Sequence, residues 1–142
     1  MENKDLLEHL RLCELGSAEL EPDLEGRKNL LSKTSELAES FLTGIEQVPG
    51  FSSKTTKAIE AIDGNPTEIE KLLEEFNDKV LTVGISPASG GHLGYIPGGG
   101  IYASSLGDYL AAVSNEYAGM YFASPGAVSM EIQCIDWLKE VF

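Results

Sequence analysis

The sequence predicts a mostly α-helical chain broken by one long glycine-rich loop. Apolar residues recur at helical spacing through most of the first half. Residues 80–107 contain no Asp, Glu, Lys or Arg, yet hold 8 of the 15 glycines. Two further segments with helical periodicity then run to the C-terminus. The 142 residues suit one domain of ordinary size.

Taken in order, residues 3–15 align Leu6, Leu7, Leu10 and Cys13 on one helical face. A longer helix is expected at about 22–48, with Leu30, Leu31, Leu37, Phe41, Ile45 and Val48 among its apolar positions. Pro22-Asp23 opens it and Pro49-Gly50 stops it. A short helix is expected at 53–63. Asn65-Pro66-Thr67-Glu68 then reads as an N-cap, a first-turn proline and a capping-box acid. The helix it opens is expected to bury Ile69, Leu72, Leu73 and Phe76.

The charge-free stretch 80–107 also carries Leu81, Val83, Ile85, Leu93, Tyr95, Ile96, Ile101 and Tyr102. Linkers favour serine and charge over such residues, so an ordered, packed loop is expected. Ser104 or Ser105 can cap the next helix, whose stripe is Leu106, Tyr109, Leu110, Val113 and Tyr117. Ser124-Pro125 starts the last one. That helix is apolar on two sides, through Val128, Ile132, Ile135, Leu138 and Phe142 and through Met130, Cys134, Trp137 and Val141. Two apolar sides require two neighbours. With no glycine, asparagine or proline to stop it, the chain is expected to continue beyond Phe142.

Net charge is −13, and residues 1–79 hold 18 of the 23 acidic side chains, interleaved with leucine and lysine. That pattern predicts solvated helix faces and disfavours nucleic acid and anionic membranes as partners. Cys13 and Cys134 fit no metal spacing and are expected to be buried free thiols, with a disulfide between them the alternative that nothing in the spacing recommends. MENKDLLEHL has no signal-peptide apolar run, and no stretch reaches membrane-spanning length, so a soluble cytoplasmic protein is expected.

Gly98-Gly99-Gly100-Ile101-Tyr102-Ala103 fits GxGxxA, but a dinucleotide site needs a strand before the turn, and Gly94-Tyr95-Ile96-Pro97 is a poor one. His92, Asp108 and the serines offer no nucleophile elbow. Glu131 and Asp136 do not share a helix face as a metal or acid–base pair would. The residues alone therefore yield no catalytic constellation.

One series of short motifs remains: Tyr95-Ile96-Pro97, Leu106-Gly107-Asp108, Ala123-Ser124-Pro125, Glu131 and Trp137-Leu138. In that order and spacing, residues 94–142 resemble the early part of the group II pyridoxal-phosphate-dependent decarboxylases. The resemblance implies a type-I PLP fold, with residues 1–80 as an acidic helical N-terminal arm. Residues 81–142 become the substrate-side loop and first helices of the large domain. It further implies a homodimer, pyridoxal 5'-phosphate as cofactor and an amino acid as substrate. Tyr95, Ile96, Pro97 and Gly98 carry over as substrate-binding residues. Gly98 stands where aromatic-amino-acid decarboxylases commonly have threonine, so that hydroxyl is missing. The Schiff-base lysine and the other cofactor-binding groups fall outside these residues, and neither His92 nor residues 1–20 receive a role. The alternative is a stand-alone helical dimerisation module derived from such an enzyme.

Overall fold

The computed structural model describes residues 3–18, 20–55 and 64–142. They are mostly helical, as expected. The chain divides into two compact units, Met1–Gly98 and Gly99–Phe142.

In the first unit, helix α1 (Asn3–Ser17) packs on no other described element. Helix α2 (Leu24–Gly44) starts where the sequence said it would: Asp23 is extended, and its Oδ1 accepts the Gly26 N–H at 2.8 Å. This satisfies one of the amides that every helix N-terminus leaves open. α2 tightens into a 3-10 turn over Ile45–Gln47, and Val48 is extended at φ −75°, ψ 125°. Pro49 imposes that change, because a residue preceding proline is driven out of the helical region. The expected short helix falls largely on 56–63, outside the described residues, and 53–55 are not helical.

Helix α3 (Ile69–Phe76) begins later than its capping signal, since Asn65–Glu68 are not helical and Glu68 makes no side-chain cap. α3 packs against α2, and Lys33 and Glu70 join the two as an ion pair. Tertiary contact outranks the local start signal here. A five-residue π turn, Asn77–Leu81, follows directly.

The smallest element carries no sequence signal. Strands β1 (Phe51–Ser52) and β2 (Gly84–Ile85) pair antiparallel, Phe51 opposite Ile85 and Ser52 opposite Gly84. Gly84 sits at φ +72°, a left-handed conformation that glycine adopts without strain.

In the second unit, helix α4 (Tyr102–Ser114) has Ile101 as its N-cap, with no side-chain cap bond. The serines expected to cap it lie inside its first turn instead. Ser105 Oγ donates to the Tyr102 carbonyl at 2.6 Å, so its hydroxyl is spent within the helix. Asn115 ends α4 in the left-handed region at φ 45°. Helix α5 (Pro125–Val141) places Pro125 in the first turn after Ser124, as expected, although Ser124 makes no side-chain cap bond.

No hydrophobic side chain among the described residues is fully buried. This corrects several expectations. Ile69 and Leu73 are only half-buried, while Leu72 and Phe76 are exposed. Cys13 and Cys134 are free and exposed rather than buried, because α1 and α5 carry them on faces that no described residue covers. Both stripes of α5 are open, with Trp137 62% exposed. Helical periodicity marks the face that seeks cover, and the cover is not among these residues. No described helix is long and apolar enough to cross a membrane.

The Lys33–Glu70 pair has a pH signature. The hydrogen bond from Lys33 holds the Glu70 carboxyl below its ordinary value of 4.5, helped by its own backbone amide and the Lys33 charge and opposed by desolvation. A lowered folded-state value means the contact stabilises at pH above the unfolded value and is lost as pH falls through the folded one. Acid titration should therefore loosen α3 from α2 in that window, and Lys33→Met should remove the dependence. Carboxyl chemical shifts of Glu70 across the acid range check this.

Candidate functional site

The loop 86–98 divides into a seated half and an open half. The seat is built on Ser89, which is buried. Its Oγ donates to the Val48 carbonyl at 2.5 Å and accepts the Gly91 N–H at 3.1 Å. Successive turns tighten the segment, as Ser89 N–H donates to Ser86 O and His92 N–H donates to Ser89 O, at 3.1 and 3.0 Å. Ser86 N–H reaches Gly50 O at 3.1 Å and ties the segment to the end of β1.

Gly50 is required for this closeness. A Cβ there would lie 2.5 Å from the Gly91 carbonyl oxygen and 3.0 Å from the His92 nitrogen. Both obstacles are backbone, so no side-chain rotation relieves them.

On this seat stands Tyr95, at φ 67° and 82% exposed. A tyrosine in the left-handed region is locally strained by about 1 kcal/mol and persists where its surroundings hold it. The His92 ring lies nearly parallel to it, centroids 6.2 Å apart and planes 12° from coplanar. That offset stack is a favourable aromatic geometry. His92 Nε2 is buried with no hydrogen-bond partner among the described residues. Tyr95, His92 and Leu93 border a shallow cavity of about 420 Å³ with Phe51 and Ile85 from the two strands.

Tyr95 lines that cavity, whereas Ile96, Pro97 and Gly98 do not. Ile96 is fully exposed and Leu93 nearly so. The charge-free loop is packed over Ser86–Ser89 and open over Leu93–Ile101. The seat went unnoticed in the sequence because Ser89 and Gly50 bear no motif; their meaning is set by a contact between distant segments. No strand leads into α4 over residues 94–101, which leaves the GxGxxA reading without its strand.

Pyridoxal phosphate requires an amine for its Schiff base and donors for its phosphate. Among the described residues no lysine or arginine borders the cavity beside Tyr95, and residues 80–107 contain none. In the second unit the one lysine, Lys139, pairs with Asp136 at 2.9 Å. These residues do not by themselves fit the cofactor. No cluster of His, Cys, Asp and Glu among the described residues is suited to a metal. No protein-family model, curated protein or solved structure matches the chain.

Proposed function

We propose that this chain supplies the N-terminal arm and the substrate-side wall of a pyridoxal-phosphate-dependent amino-acid decarboxylase. The Schiff-base lysine and the phosphate-binding groups then come from outside these residues. The motif series from Tyr95 to Leu138 suggests the family, and the observation that carries the reading is the exposed Tyr95-Ile96 pair on its Ser89 seat. A wall that is anchored on one side and bare on the other suits a cleft completed by another body.

In that setting Tyr95 and Ile96 present apolar surface to the substrate side chain. Pro97 restrains the loop. Gly98 has nothing within 4 Å of where a Cβ would stand, so its backbone is open to approach by a carboxylate. Bond cleavage belongs to the cofactor and to groups beyond this chain. The open apolar stripes of α4 and α5 favour a second reading, a dimerisation module without chemistry.

Two measurements test the first reading. In the complete assembly, Tyr95→Ala should raise KM for the amino acid about tenfold, the scale of losing one buried aromatic contact, and leave the absorbance of bound cofactor unchanged. The 142-residue chain mixed with pyridoxal phosphate should show no specific aldimine absorbance. An unchanged KM, or an aldimine formed by the chain alone, overturns the proposal.

A further inference from the structure

A second cavity, of about 330 Å³, opens within the first unit between the end of α2, β1, the π turn and β2. Its volume lies in the range of small-molecule sites. Leu37 and Phe41 from α2 and Val83 before β2 give it an apolar floor. The π turn shapes one wall, bringing both Asn77 and Leu81 to the lining. Such wide turns recur at functional sites because the additional residue redirects side chains.

The polar lining is selective in charge. Among the described residues, Lys54 is the only charged side chain bordering the cavity. It forms no ion pair among the described residues, as is also true of Lys4 and Lys71, whereas Lys28, Lys33, Lys79 and Lys139 each have a carboxylate partner. The Ser40 hydroxyl and the Gln47 amide border the same space with no side-chain hydrogen bond among the described residues. Among the described lining residues, an apolar floor, the Lys54 ammonium and these free polar groups together select an anion with an apolar body.

We infer that this cavity binds a small organic carboxylate, with the carboxylate at Lys54 and the apolar body against Phe41 and Val83. The site is separate from the Tyr95 loop and independent of the decarboxylase reading.

The test titrates the isotope-labelled 142-residue chain with 3-phenylpropionate and, separately, with the uncharged 3-phenylpropanol, followed by amide NMR. Phenylpropionate should give saturable shifts at Thr82, Val83 and Gly84 and bind about tenfold more tightly than the alcohol, the scale of one charge-assisted hydrogen bond. Lys54→Met should erase that preference without changing the affinity for the alcohol, and Lys54→Arg should keep it. Because Lys54 is exposed, both variants should retain the parent spectrum elsewhere. Shifts that do not saturate, equal affinity for the two probes, or a Lys54→Met variant with undiminished preference would each overturn the inference.

Discussion

Gly50→Ala is expected to destabilise the first unit by about 2–3 kcal/mol, the upper range for overpacking a close contact. The added methyl would meet the Gly91 carbonyl carbon at 2.7 Å and its oxygen at 2.5 Å, so one backbone segment must retreat from the other. Retreat breaks the Ser86 N–H to Gly50 O bond and loosens the strand pairing beside it. Urea unfolding reads the loss directly, and faster exchange of the Gly91 and His92 amides locates it. A variant as stable as the parent would mean that the two segments do not touch.

Ser89→Ala is the second large effect, at about 2 kcal/mol. Removing the hydroxyl leaves the Val48 carbonyl without its donor and the Gly91 N–H without its acceptor. Buried polar groups stripped of partners cost about 1–3 kcal/mol each when water cannot replace them. Because Gly50 and Ser89 hold the same seat, the two substitutions should be less than additive in a double-mutant cycle. Additive losses would indicate two independent contacts. Either variant should also free Tyr95 from its stack on His92, visible as a change in the ring chemical shifts of both residues.

Much of the helical layout was legible because its signals are local. Asp23 and Pro49 bracket α2 through backbone rules acting within a few residues. Pro125 marks the start of α5 in the same way. The β1–β2 pair was not legible, since two-residue strands are too short to show alternation and depend on Gly50 meeting Gly91 from far along the chain. The π turn has no compositional mark of its own. Asn65 and Ser104 show the opposite failure: each announces a cap, and the helix begins elsewhere.

Burial was the least legible property. Amphipathic spacing in α4 and α5 correctly marks apolar stripes but cannot say whether this chain covers them. Tyr109, Leu110, Met130 and Trp137 are all exposed. For the candidate site, Tyr95 and its neighbours drew attention through their motif. The Ser89 seat and the Lys54 cavity arise from contacts that only the folded chain reveals.

Exposed apolar area on this scale favours association. The most direct test that these apolar faces await cover is therefore acrylamide quenching of Trp137 fluorescence, the chain's single tryptophan, with sedimentation velocity over a dilution series. The account expects free quenching at the lowest concentration, then rising sedimentation and growing protection of Trp137 as copies cover one another. A compact monomer at every concentration, with Trp137 shielded throughout, would contradict it.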